Sequence, residues 1–211
     1  MSKAFVIALL GAESTGKTVL AAALAGALAA PTRRVAVVSE YLREFCDRHG
    51  RTPRLQEQSQ IAAEQTRRIE AASQDHDIVI ADTTAVMIAV YSEHVFGDAS
   101  LYASALATHA RYELTLLTAL DLPWQADGLQ RDGPHVREPV DAAVRQALSG
   151  AGLGYSVSSG SGSGRLEAAL AGVQRAMAPP PEEAGSAPRW QWHCERCGDT
   201  ACERHALFPK S

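Results

Sequence analysis

Apolar residues fall along this chain in short continuous runs, separated by longer segments of mixed apolar and polar character. The runs at 4–10, 35–39, 77–82, 112–120 and 155–158 have strand length, and the first two read as buried strands. Between them, 19–30 is rich in Ala and Leu. Segment 55–73 is polar, with one apolar edge at Leu55, Ile61, Ala62 and Ile69, and reads as an exposed helix bearing Gln58, Gln60 and Gln65. Residues 84–96 are apolar enough for a largely buried helix, and 101–110, 138–148 and 165–177 carry further helical patterns. Strands and helices alternate from residue 3 to about residue 178. That order predicts an α/β domain over 1–178, doubly wound around a parallel five-stranded sheet.

The breaks in the pattern are informative. The stretch 159–164, all Ser and Gly, reads as the last strand-to-helix loop, lying beside a nucleotide base. The connection 121–137 mixes Gly, Pro and charge and is too long for an ordinary turn, so it is either a functional lid or disordered. Residues 179–189 form a Pro-rich linker, and 190–211 a Cys/His tail.

Candidate chemistry begins directly after the first run. Gly11, Ala12, Glu13, Ser14, Thr15, Gly16, Lys17 and Thr18 fit G-x-x-x-x-G-K-[ST], the phosphate-binding loop that wraps the β- and γ-phosphates of ATP with backbone N–H groups. A strand before it and a helix after it aim a helix N-terminus at those phosphates. Strand ends supply the rest. Glu40 and Tyr41 follow the second strand, where an open parallel sheet faces its ligand crevice; a solvated helix start is the alternative. Asp82 ends the third strand, suited to the water shell of Mg²⁺ with Thr18 contributing its hydroxyl, or else to a helix cap that Thr83 or Thr84 would serve equally well. Arg131 and Arg137 are suited to closing over phosphates. Gln65 either reaches the crevice or lies on an exposed helix face.

Composition narrows the partners. A net charge of −4 and a pI of about 6.0 argue against nucleic acid as the main partner. Glu13 and Lys17 interrupt the N-terminal apolar region before it could span a bilayer, so a soluble cytoplasmic protein without a membrane partner is expected. Three of the four cysteines fall in the last eighteen residues, as Cys194-x2-Cys197-x4-Cys202-x2-His205. That donor set suits a closed structural Zn²⁺ site, with His193 as a substitute ligand, against free thiols or a redox pair. Trp190, Trp192 and Phe208 flank it as a surface for a protein partner.

The phosphate loop, Glu40-Tyr41-x-Arg43-Glu44, Asp82-Thr83 and above all Asp121-Leu122-Pro123-Trp124-x-x-Asp127-Gly128-Leu129 resemble the ribosylnicotinamide kinase domain of NadR-type proteins, in matching order over about 3–178. The resemblance implies ATP-dependent phosphorylation of the 5′-hydroxyl of nicotinamide riboside, giving nicotinamide mononucleotide. By position it implies that 11–18 hold ATP and that Asp82 sits near the metal. It puts Glu40, Tyr41 and Arg43 on the acceptor side, and Trp124 with Asp127 in or beside the substrate pocket. Two positions depart from the family. Gln130 stands where Arg follows Gly-Leu, with Arg131 one residue on, and Thr84 replaces a second acidic residue. The chain lacks the adenylyltransferase and DNA-binding parts of longer NadR proteins, so neither activity is implied. A kinase for another nucleoside, and a nucleotide-dependent regulatory ATPase whose zinc tail binds a macromolecule, are the rival readings.

Overall fold

The structure, a computed structural model, describes residues 3–125 and 133–179. In chain order its elements are β1 (Phe5–Leu10), α1 (Lys17–Leu28), β2 (Val35–Val38), α2 (Tyr41–His49), α3 (Leu55–Asp75), β3 (Ile78–Asp82), α4 (Ala85–Phe96) and α5 (Tyr102–His109). After these come β4 (Leu114–Thr118), a 3-10 turn (Pro134–Val136), α6 (Arg137–Gly150), β5 (Ser156–Ser158) and α7 (Gly162–Met177). The strands pair in parallel in the order β2-β3-β1-β4-β5, so the expected five-stranded parallel sheet is present. Two compact units divide the chain, Met1–Met177 and Ala178–Ser211. The expected tail site at Cys194, Cys197, Cys202 and His205 lies outside the described residues, as do Asp127 and Arg131.

β1 is central, and its alternation distributes the core. Ile7 and Leu9 pack with Leu20 and Leu24 of α1 and Val173 of α7. Leu10 packs with Phe45, Ile61 and the apolar residues of α4. Val6 joins Val79, Ala81 and Ile69 in a third cluster. Each fully buried Leu or Ile stabilises the fold by about 1.5–3 kcal/mol relative to exposure, so a strand buried on both faces anchors helices on both. α4 is nearly all apolar because Ala85–Val90 are buried around most of its circumference. Among the described residues, no helix is long and apolar enough to cross a membrane.

Four expectations need correction. β2 is not a buried strand: it lies at the sheet edge, and Val37 is 40% exposed. α3 is not simply an exposed helix with its edge at Leu55. Leu55 is exposed, while Gln58, Ile61, Ala62, Gln65 and Ile69 form its buried face, two glutamines included. The Ser/Gly stretch is only partly a loop, because α7 starts at Gly162. Arg137 is not on a loop; the 3-10 turn runs straight into α6, whose first residue it is, and it is buried.

One polar pocket inside the core holds a buried histidine. His109, 3% exposed, sits between Thr84 Oγ1 (3.2 Å from Nδ1) and Thr115 Oγ1 (2.8 Å from Nε2), with Tyr112 edge-on. Burial lowers its pKa from 6.5 to about 4. The unfolded chain therefore takes up a proton below pH 6.5 that the folded chain refuses, and stability falls with pH from about 6.5 to about 4, by up to roughly 3 kcal/mol. Thermal unfolding between pH 7 and pH 4.5 should show a larger drop in Tm for the wild type than for His109→Gln; parallel pH profiles would exclude the linkage.

Candidate active site

The site is built where β1 stops. Register pairs Leu9 with Asp82, so Asp82 ends β3 beside the last residues of β1, directly before Gly11. The chain then turns through Gly11 (φ 144), Ser14 (φ 55) and Gly16 (φ 76), the last being the N-cap of α1. Backbone of this kind makes an anion-binding concavity of successive N–H groups, completed by the first turn of a helix. Lys17 Nζ donates to Gly11 O (2.8 Å) and Ala12 O (2.9 Å), arching over the loop.

The loop is braced from β4. Thr118 Oγ1, fully buried, lies 2.6 Å from Thr15 Oγ1 and 3.0 Å from Leu10 O, while Thr15 Oγ1 donates to Ala12 O at 2.7 Å. Other loop side chains grip the connection after β4. Ser14 Oγ donates to Gln125 O (2.7 Å) and accepts from Gln125 N (3.0 Å), and Glu13 Oε1 accepts from Gly133 N (3.2 Å). The phosphate loop thus holds both flanks of the 126–132 segment. A Cβ on Gly16 would lie 3.0 Å from Leu122 Cδ1 and 3.3 Å from Arg165 Nη1. Arg165, from α7, is itself anchored to Ser158 O (3.1 Å).

Thr18 Oγ1 donates to Asp82 Oδ2 at 2.6 Å, whereas Asp82 Oδ1, buried, has no hydrogen-bond partner among the described residues. A buried carboxylate oxygen left unsatisfied beside a threonine hydroxyl is a donor set suited to Mg²⁺, so these residues fit the ion that accompanies ATP. Thr84, not Asp82, caps α4: its Oγ1 accepts from Val86 N at 3.3 Å. Between the two stands Thr83, a non-glycine residue at φ 82, a conformation costing on the order of 1–3 kcal/mol.

A cavity of about 740 Å³ runs from the phosphate loop to the ends of β2 and β3. Residues 13–19 form one wall. Glu40, Arg43, Gln58 and Thr83 bring polar groups to the other, and Leu42, Cys46, Met87 and Tyr91 make an apolar floor. Glu40 lies 3.7 Å from Arg43. Burial, with Glu40 and Asp47 nearby, raises the Cys46 thiol to about 11, so it stays protonated and a poor nucleophile.

Among the sequence-derived candidates, Lys17, Thr18, Glu40 and Arg43 line this cavity. Tyr41 does not; its ring lies 4.4 Å from the Arg68 guanidinium carbon, and only its backbone stands at the strand end. Leu122, Pro123 and Gln125 form cavity wall, whereas Trp124 between them is half-buried outside that lining. Arg137 is buried, with Nε and Nη2 lacking hydrogen-bond partners among the described residues. Sequence reasoning passed over Thr118 and Arg165. The signal used for Asp82 does not reach Thr118, because the apolar run continues through Ala119 and Leu120 and only the structure ends β4 at Thr118.

Gly11 tests the brace. A Cβ there would lie 2.0 Å from Thr118 Oγ1, and φ 144 disfavours any side chain. Gly11→Ala should lower stability by about 2–4 kcal/mol, read as a shift of the denaturant midpoint at unchanged slope. Wild-type stability would disprove the close packing.

Residues 6–165 match a family model described as AAA domain. No curated protein matches the chain. Among solved structures, NadR protein in complex with NR aligns with a TM-score of 0.68 at 20% identity, over 84% of this chain and 50% of that one. NadR protein in complex with NAD and AMP-PNP aligns at 0.63 and 20%, over 85% and 51%. Deoxyadenosine kinase from M.mycoides, with products dcmp and a flexible dcdp bound, aligns at 0.58 and 11%, over 81% of this chain and all of its own. The chain spans about half the length of the NadR chains it matches, and at these identities the likeness is one of fold, the fold that the NadR resemblance implied. That family model covers three quarters of the chain, phosphate loop included, and the chain belongs to the AAA domain family.

Proposed function

We propose that this chain is an ATP-dependent kinase that phosphorylates a nucleoside, with nicotinamide riboside as the acceptor. The observation that carries the reading is the continuity of the cavity of about 740 Å³ from the phosphate loop to Glu40 and Arg43, with Leu42, Met87 and Tyr91 in its lining. A nucleotide switch needs no such second compartment. The NadR structures, one of them in complex with NR, favour that acceptor. The deoxyadenosine kinase and a thymidylate kinase from Ehrlichia chaffeensis (TM-score 0.57, 14% identity, over 82% of this chain and all of its own) support a second reading, another nucleoside or nucleotide in the same compartment.

In this mechanism the backbone amides of 11–18 and Lys17 hold the β- and γ-phosphates, and Arg165 with Leu122 borders the base side of the loop. Thr18 and Asp82 would hold Mg²⁺, which would supply neutralisation of phosphate charge. Arg43 and Glu40 orient the acceptor hydroxyl. Glu40 accepts its proton late, because a carboxylate is too weak a base to ionise an alcohol beforehand. Either Arg131 or Arg137 supplies positive charge to the transferring phosphoryl group. Enclosure of the reacting groups keeps water from competing for the phosphoryl group. Trp124 and Asp127 remain assigned to the acceptor side by the family resemblance. For the tail, three thiolates and an imidazole at Cys194, Cys197, Cys202 and His205 suit a structural Zn²⁺ site.

ADP release with Mg·ATP should be stimulated by nicotinamide riboside above the common nucleosides; stimulation by none of them rejects the kinase, and preference for another nucleoside rejects only the acceptor. Lys17→Ala should abolish turnover. Glu40→Gln should lower kcat by about 10²-fold with ATP affinity nearly unchanged, and a normal kcat would remove Glu40 from the chemistry. Metal analysis of the purified chain should find about one zinc per molecule, lost in Cys194→Ala.

A further inference from the structure

Gln65 lies in the middle of α3, a helix otherwise rich in charged and polar residues, and it is completely buried. A leucine would fill that space without an amide to satisfy, so packing does not account for the residue. Its hydrogen bonds do. Gln65 Oε1 accepts from Tyr41 N at 2.7 Å, and Nε2 donates to Thr83 O at 3.1 Å and Ser39 O at 3.4 Å. All three partners are backbone groups, and only this orientation of the amide matches one donor and two acceptors.

The partners belong to two segments that the sheet no longer joins. The β2–β3 ladder ends at Val38 and Ala81. Beyond it the first segment carries Glu40, between Ser39 and Tyr41, and the second carries Asp82, next to Thr83. Tyr41 N–H is in the first turn of α2, where a helix has no partner of its own to offer, so a side chain from α3 caps it. Thr83 is the strained residue at φ 82, and such a conformation persists only where the surroundings hold it.

We propose that Gln65 is a positioning residue, a buried clamp that locks the strand ends bearing Glu40 and Asp82 into one rigid unit and so fixes the separation between the acceptor side and the phosphate side of the site. This rests on the kinase reading above. Gln65 is absent from the cavity wall and acts only through the backbone it holds. Removing the clamp should leave the phosphate loop, braced independently by Thr118, able to bind ATP, while the acceptor hydroxyl loses its alignment.

The wild-type chain gives the first test. In hydrogen exchange followed by NMR, the Tyr41 amide should be strongly protected although it opens a helix; exchange as fast as an ordinary first-turn amide would overturn the clamp. Gln65→Met, isosteric and without hydrogen bonds, should lower kcat by about 10- to 100-fold with KM for ATP changed less than about 3-fold, and should expose the Tyr41 amide. If Gln65→Met does not fold, Gln65→Glu, which keeps the acceptor for Tyr41 but weakens donation to Thr83, carries the same comparison. A kcat equal to wild type, or a loss matched by the unfolded fraction alone, would reject the positioning role. Wild-type protein that shows no acceptor-stimulated ADP release rejects the kinase reading, and the Tyr41 exchange rate then decides the clamp on its own.

Discussion

Everything at this site depends on how a buried central strand comes to an end. β1 is covered on both faces, so when it stops at Leu10 its last carbonyl and the backbone after it must find partners within the protein. Thr118 at the end of neighbouring β4 supplies them: its hydroxyl sits against Leu10 O and Thr15 Oγ1. That contact requires the close approach which only Gly11 permits. The base of the loop is thereby pinned to the sheet, and the residues that follow, Glu13 to Thr18, line the cavity.

The neighbouring strand ends are fixed by the same logic. Parallel register places Asp82 beside Leu9, which brings its carboxylate to Thr18. Because a ladder stops where strands diverge, Gln65 takes over from the sheet at the ends of β2 and β3. The His109 pocket supports the next step along the chain, since Thr84, which caps α4 directly after Thr83, is also bonded to His109. Strained backbone and buried polar groups therefore cluster at the C-terminal ends of the strands, where a fold of this type carries its chemistry. Preorganisation of that kind suits phosphoryl transfer, in which a protein mostly positions and neutralises.

Charge is distributed to match. Half-buried ion pairs join Arg68 to Glu44 and Glu64, and Arg51 to Glu57, around α2 and α3. Such pairs are individually worth little. Among the described residues, the buried ionic side chains are Glu13 at Gly133 N, Asp82 with Thr18, Arg165 against Ser158, and Arg137. Burial lowers the Arg165 pKa without changing that it is a cation at neutral pH.

Local signals in the chain were sufficient for the strand-loop-helix unit and the five-stranded parallel sheet, and they singled out Lys17, Thr18, Glu40 and Asp82 as candidates, because each depends on its neighbours in sequence: an apolar run, a glycine spacing, a polar residue at a run's end. The edge position of β2 was not legible, since a four-residue apolar strand reads alike at an edge or a centre. Nor was the burial of Gln58, Gln65 and Arg137: polar side chains read as solvated until something is known to cover them. Gln65 is the clearest case. Its role is made by Tyr41, 24 positions earlier, and Thr83, 18 positions later. No periodicity encodes that meeting. Folding against the sheet decides it, because only there do a first-turn N–H and a strained carbonyl face the same buried amide.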